Sequence, residues 1–251
     1  MCLNRRKTLN RAALLAALSL LLFSPPLQAA ESLAAIKLQQ SKPKADSINS
    51  FAMWTPVYGN LPIFRERYRL YLEAQTRIER TSRENFTMAQ LRLRTALGYK
   101  FNRSLAAYAG FAWCPDFNPY RGEVRPYQDL LYGNVLFDKI QMAYRYRSEE
   151  RFIEHVHGMS YRSRYKIRAA MPLGETSWYA IASDEIFLTF NQTRNGPHKG
   201  FDQYRLYGGL GRQINPHLRV ETGYLLRHSY AAEQKPNHLD HALRMRFLIN
   251  Y

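Results

Sequence analysis

The run Arg162-Ser-Arg-Tyr-Lys-Ile-Arg168 restricts the fold of this chain more than any other feature, because every second residue is basic. On an α-helix, Arg162, Arg164, Lys166 and Arg168 would spread around the whole circumference. On a strand they share one face, and Tyr161, Tyr165, Ile167, Ala169 and Met171 share the other. The same period of two recurs along the chain. Between Arg67 and Glu79, Tyr68, Leu70, Leu72, Ala74, Thr76 and Ile78 oppose Arg69, Tyr71, Glu73, Gln75, Arg77 and Glu79. Between Gln90 and Lys100, Leu91, Leu93, Thr95, Leu97 and Tyr99 oppose Arg92, Arg94 and Lys100. Ile140, Met142, Tyr144 and Tyr146 oppose Arg145, Arg147, Glu149 and Arg151. Leu218, Val220, Thr222, Tyr224 and Leu226 oppose Arg219, Glu221 and Arg227; Leu243, Met245, Phe247, Ile249 and Tyr251 oppose Arg244 and Arg246.

Segments of about ten residues, apolar on one face and charged on the other, match strands that cross a bilayer as a closed barrel. A charge on the lipid face costs about 2–4 kcal/mol at the midplane, so the charged rows are expected to point inward. The links alternate in length. Short ones fall at Asn102–Ser104, near Asp138, at Leu173–Glu175 and at Asn215–His217; longer ones at Arg80–Asn85, Pro115–Gly122, Phe152–Met159, Asn191–Lys199 and Ala231–His238. Short periplasmic turns and longer external loops go with outer-membrane barrels. The expected fold is all-β: an antiparallel transmembrane outer-membrane β-barrel of 10–12 strands. Ten long strands start near Arg67, and a shorter one, Phe51–Tyr58, precedes them. Bacterial single-chain barrels have even counts, so Phe51–Tyr58 reads as a lumenal or edge segment, or one long span divides in two. Trp178–Phe190 has no clean parity. If Ile186, Leu188 and Phe190 face lipid, so does Asp184, unless a bulge near Ser183 re-aims the strand or Asp184 sits at the rim. A soluble periplasmic β-protein is the alternative, since a sandwich alternates too.

The N-terminus bears on compartment. Arg5, Arg6, Lys7 and Arg11 precede the apolar run Ala12–Phe23, then Pro25, Pro26 and the small residues Ala29 and Ala30. This reads as a cleaved secretory signal over 1–30, its apolar run too short to span a membrane as a helix. Residues 31–50 are polar and read as a periplasmic arm or linker, with the barrel over 51–251. Cys2 would leave with the signal, and Cys114 then has no internal disulfide partner. The full chain carries 36 Lys/Arg against 20 Asp/Glu. Four of the basic residues lie in the signal, leaving 32 against 20, a net +12. Export excludes nucleic acid as the partner of that charge. The remaining candidates are lipopolysaccharide phosphates, an anion path, or an internal Arg–Glu network.

Several short pieces, in order, resemble one proteobacterial family: Trp54-Thr55, Glu73 to Arg77 (EAQTR), Gly98-Tyr99, Glu123-Val-Arg125, Arg145 to Phe152 (RYRSEERF), Asp184 to Phe187 (DEIF), Phe201 to Gly211 (FDQYRLYGGLG) and Glu221 to Tyr224 (ETGY). The chain, over about Trp54 to Tyr251, is similar to the domain of unknown function 2490 family, grouped with outer-membrane β-barrels. The resemblance implies the fold and leaves activity open.

The candidate site is the interior. Arg77, Arg92, Arg94, Arg145, Arg147, Glu149, Arg151, Arg162, Arg164, Arg168, Glu73, Glu185, Arg205 and Glu221 are expected to line it. Bidentate Arg–carboxylate bridges can fill a small barrel, whereas an excess of inward positives favours a narrow, anion-preferring channel. Both readings stay open, as do the inward glycines Gly98, Gly110, Gly209, Gly211 and Gly223, read as space for Arg and Tyr side chains. The alternative function is an outer-membrane lipid-modifying enzyme, a lipid A or phospholipid hydrolase, using rim Ser and His residues: His228 and Ser229, or Ser160 with His155 or His157. Adjacent strand residues point to opposite faces, so His228 and Ser229 cannot pair directly. No cofactor is expected, and His155-x-His157 alone is a weak metal signal. The expected partners are outer-membrane lipids and lipopolysaccharide, which Arg80, Arg83, Arg121, Arg194, His198, Lys199 and Lys235 could meet from the loops; the barrel-assembly machinery, which reads a terminal aromatic such as Tyr251; and small anionic solutes.

Overall fold

The computed structural model describes residues 48–80, 86–230 and 237–250. The signal segment, nearly all of the 31–50 arm and the Arg83 and Lys235 loop tips lie outside them. The described residues form one all-β sheet closed on itself. Its long strands are β1 (Ile48–Ile63), β2 (Arg65–Arg80), β3 (Phe86–Lys100), β4 (Leu105–Trp113), β7 (Glu123–Leu136), β8 (Ile140–Ile153), β9 (Ser160–Pro172), β10 (Trp178–Thr189), β11 (Gly200–Gln213), β12 (Leu218–Ser229) and β13 (His238–Asn250). Two-residue strands β5 (Asp116–Phe117) and β6 (Tyr120–Arg121) form a small hairpin in the β4–β7 link.

Neighbouring strands pair antiparallel in chain order, β2 with β3 and so on around to β12 with β13. The exception is the seam. β1 pairs antiparallel with β2 on one side and parallel with β13 on the other, from Ile48 opposite His238 to Asn60 opposite Asn250. This corrects two expectations. The barrel is not wholly antiparallel, and Phe51–Tyr58 belongs to a full strand of the wall that begins at Ile48, inside the stretch read as an arm. Eleven long strands close because one seam is parallel. As a result, Ile48 and Asn250 stand at opposite rims, Ile48 at the end with the long links.

The short links have local causes. Asn102 Oδ1 accepts the backbone N–H groups of Ser104 and Leu105 at 2.8 and 2.9 Å, and Asn215 Oδ1 does the same for His217 and Leu218. Such Asx turns replace the backbone bonds a tight reversal gives up. Phe137 and Asp138 both have positive φ, and the Lys139 N–H donates to Leu136 O at 3.3 Å, a two-residue turn of the type that matches strand twist.

Inner and outer faces differ in kind. The outer face exposes Phe51, Met53, Leu72, Leu93, Leu97, Phe111, Trp113, Leu130, Ile167, Leu206, Leu210, Leu243 and Met245. Outward tyrosines pack across strands, Tyr68 on Tyr99 and Tyr146 on Tyr165, each with centroids 5.2 Å apart. The inner face buries Arg, Glu and Asp. In β10, Ser183, Glu185, Phe187 and Thr189 are buried, and Asp184 is exposed with an unbroken register against β9. No bulge at Ser183 re-aims it; the register shift lies farther on, against β11, between Phe187 and Leu188. Asp184 therefore shares the outer face with Ile186, mid-strand rather than at a rim.

Candidate functional site: an arginine-rich interior

Of the fourteen residues singled out from the sequence, twelve are buried; Arg145 and Arg168 are partly so, with side chains 20% and 17% exposed. Alternation places them. Each sits two residues from the next on its strand, so a whole row turns inward together.

The wall from β7 to β10 carries an ion-pair lattice centred on Glu149, with a separate group around Glu123. Arg147 Nε and Nη2 each donate to Asp129 at 2.6 Å, a bidentate bridge, while its guanidinium lies 4.0 Å over the Tyr127 ring. Glu149 accepts from Arg162 Nη2 at 2.6 Å and from Arg164 Nη1 at 2.7 Å. Arg164 Nη2 reaches on to Glu185 at 2.6 Å, and Glu185 also accepts from Arg145 at 2.7 Å. Glu123 is held by Arg125 at 2.5 Å and Arg151 at 2.6 Å. Arg162 also donates to Asp202 at 3.0 Å. Such charge-assisted, bidentate bonds are the strong class.

Elsewhere the pairs are separate. Glu73 accepts from Arg94 Nη1 at 2.6 Å and from the Tyr71 hydroxyl at 2.7 Å. Glu221 accepts from Arg168, Arg246 and the Tyr179 hydroxyl at 2.6, 2.7 and 3.0 Å. Asp240 accepts from Arg227 and Ser50. Each of the seven buried carboxylates thus has an arginine partner.

The reverse does not hold. Arg77 lies 3.8 Å over the Trp54 ring with Nε and Nη2 unbonded. Arg92 donates to Gln90 at 2.9 Å, Arg205 to Gln203, and Arg244 to the Tyr58 hydroxyl at 2.8 Å, each with its Nε unbonded. Neither these four nor Lys166 and Arg219 touch a carboxylate among the described residues. Five of the six, all but Arg77, line a cavity of about 190 Å3. Nine cationic side chains and two carboxylates, Glu73 and Glu185, face it. Nearer the long-link rim, Trp54 and Phe187 fill the interior: Arg77, Arg205 and Arg227 stack on Trp54, and Arg162, Arg164 and Arg205 on Phe187.

The inward glycines make room. A Cβ on Gly98 would fall 2.2 Å from the Tyr108 ring, and one on Gly209 would meet Thr222 O and Gly223 Cα of the next strand. Sequence reasoning passed over Asp129 and Asp240. The Glu123-Val-Arg125-Pro-Tyr127-Gln-Asp129 alternation carried the signal for the first. Lys166 and Arg244 belonged to rows already recognised, but their lack of a carboxylate partner is visible only in three dimensions.

The rim Ser and His residues do not come together. Ser229 Oγ accepts from Gln203 at 2.6 Å, the His228 ring packs on Tyr230, and Ser160 Oγ is buried without a hydrogen-bond partner. The exposed His155 ring lies 3.7 Å from Glu154. Among the described residues no group of three His, Cys, Asp or Glu side chains is arranged to hold a metal ion.

A protein of Methylorubrum extorquens described as uncharacterized is 30% identical over 168 residues, 64% of this chain and 73% of that protein. No solved structure matches. The model of the family described as "Protein of unknown function (DUF2490)" matches residues 51–249, nearly the whole barrel, and the chain belongs to that family.

Proposed function

We propose that this protein is an integral outer-membrane β-barrel with a filled lumen, closed to porin-scale flow and admitting at most small anions. One observation carries the reading: the molecule is inside-out relative to a water-soluble protein. Leu, Phe, Trp and Met stand exposed around the wall, and arginines and carboxylates are buried within it. Soluble monomers rarely expose contiguous apolar patches beyond a few hundred Å2. In a bilayer the same belt is satisfied, and closure leaves no unpaired strand edge in lipid. The four short links named above and a fifth, the single residue Phe64 between β1 and β2, add to this. Each carries an exposed large apolar residue: Phe64, Phe101, Phe137, Leu173 or Ile214. These can anchor one interface as a girdle does. Asp184 interrupts this belt mid-strand, between Ile167 of β9 and Leu206 of β11.

Short links at the periplasmic side and long ones outside give the orientation. The filled interior argues against an open pore, and its cationic excess argues for anion preference in any residual path. Membrane fractionation and heat-modifiable gel migration test the barrel in its membrane. Planar-bilayer recording tests the lumen: silence or small anion-preferring steps are expected, and a large unselective conductance overturns the filled lumen.

A further inference from the structure

The cavity among the unpaired cations has the makings of a ligand site. It draws Arg92 from β3, Lys166 from β9, Arg205 from β11, Arg219 from β12 and Arg244 from β13, so positive groups converge from opposite walls. A buried charge without a partner is costly, and here several cations stand without a carboxylate. Arg92, Arg205 and Arg244 are buried, and each leaves its Nε enclosed and without a hydrogen-bond partner, so their charge is incompletely satisfied within the wall. The two carboxylates on the cavity wall are already engaged, Glu73 with Arg94, and Glu185 with Arg145 and Arg164.

We propose that this cavity binds a small, multiply charged phosphate-class anion that enters from the short-link mouth. Shape selects the class. A planar carboxylate is satisfied by one guanidinium fork. Donors arriving from several walls suit a tetrahedral centre that accepts in all directions. The volume of about 190 Å3 lies below the usual range of organic-ligand pockets, about 300–1,000 Å3. The route is set by position. Asn60, Leu248 and Asn250, near the short-link ends of β1 and β13, form the outer part of the cavity. Asn60 accepts from Arg69 Nε at 3.1 Å, and Arg69 in turn lines a wider depression of about 680 Å3 with Arg67, Lys100 and Arg103. A basic mouth of this kind concentrates anions at its entrance. A lipid-borne phosphate, tethered to its acyl chains outside the wall, does not reach it.

The site builds on the cation-rich interior described above and does not depend on conduction. The test is titration of the purified, detergent-solubilised full-length protein with pyrophosphate at low ionic strength, by calorimetry. Saturable binding at one site is expected, displaced by orthophosphate and much weaker for citrate. Lys166→Met removes a cation that touches no carboxylate among the described residues, and should weaken pyrophosphate binding about 10-fold or more, the scale of a charged hydrogen bond. Arg244→Gln should act similarly. Should Arg244→Gln fail to fold, shown by loss of heat-modifiable migration, Lys166→Met still decides. Absence of saturable binding, binding unchanged in Lys166→Met, or citrate binding as tightly as pyrophosphate each overturns the proposal. Pyrophosphate binding by a protein that fractionates as soluble would sink the membrane reading and leave the site standing; a membrane barrel that binds nothing would do the opposite.

Discussion

The two sides of the interior solve the burial of arginine differently. Along β7 to β10, Asp129, Glu149, Glu185 and Glu123 interleave with Arg147, Arg162, Arg164 and Arg151, and each carboxylate is bonded. Across the barrel, Arg92 on β3, Arg205 on β11 and Arg244 on β13 are held by amide oxygens or a phenol and face a cavity instead. On the first wall each of these four arginines reaches a carboxylate. On the second none of the three does. A charge in the lattice therefore holds the barrel together, whereas a charge on the cavity stays available to something else, and mutation of the two kinds should have opposite consequences.

The largest effect should come from the node of the lattice. Glu149→Ala leaves Arg162 and Arg164 each short of a partner and removes the carboxylate 3.8 Å from Arg147. A loss of about 3–5 kcal/mol is expected, as for other broken buried pairs. It would be read as a lower urea midpoint for loss of the compact band on semi-native gels. A midpoint like that of the parent would mean the lattice is ornamental, and the contrast between the walls would collapse.

Glu73→Gln lies at the border between the two regimes, since Glu73 both pairs with Arg94 and faces the cavity. Its loss should cost less, about 1.5–3 kcal/mol, the range of one charged hydrogen bond. The same change makes the cavity more positive, so pyrophosphate should bind more tightly although the fold is weaker. A variant that is weaker in both respects would show that Glu73 chiefly positions Arg94 for the anion.

Much of this contrast was legible in the sequence, and the limit has a physical cause. Period-two alternation states which face a residue occupies, and so Arg162 to Arg168 could be sent inward as a row. It does not state which neighbour a strand takes or in which direction. The parallel β1–β13 seam was therefore hidden, the more so because Pro56, Gly59 and Pro62 blur the alternation of β1. Nor does it state partners. Arg145 finds Glu185 forty residues on, and Arg168 finds Glu221 on a strand it does not pair with. The β10 strand failed for another reason. Phe187 is apolar yet points inward, because three guanidinium groups stack on it, so apolar did not mean outward there.

On the cavity side the expected sign reverses. Lys166 touches no carboxylate among the described residues, so Lys166→Met removes repulsion and desolvation while keeping most of the volume. In phosphate-free buffer it should raise stability by about 1 kcal/mol, as replacement of poorly compensated buried charges can. A loss of that size would place Lys166 in the lattice and break the comparison from the other side.

The smallest effect separates the walls without any mutation. Buried pairs at 2.6 Å are screened little by salt, whereas unpaired cations around an accessible cavity gain from anions drawn to them. Raising ionic strength from about 0.01 to about 0.15 M shortens the Debye length from about 30 to about 8 Å. The parent protein should then gain a few tenths of a kcal/mol, against the usual weakening of exposed ion pairs by salt. Lys166→Met should gain less, because part of the repulsion is already gone. Equal gains in the two proteins would locate the salt response in the basic rim, at Arg67, Lys100 and Arg103, and not in the cavity. The sign of the response reports on the whole charge distribution, and only the difference between the two proteins reports on the cavity.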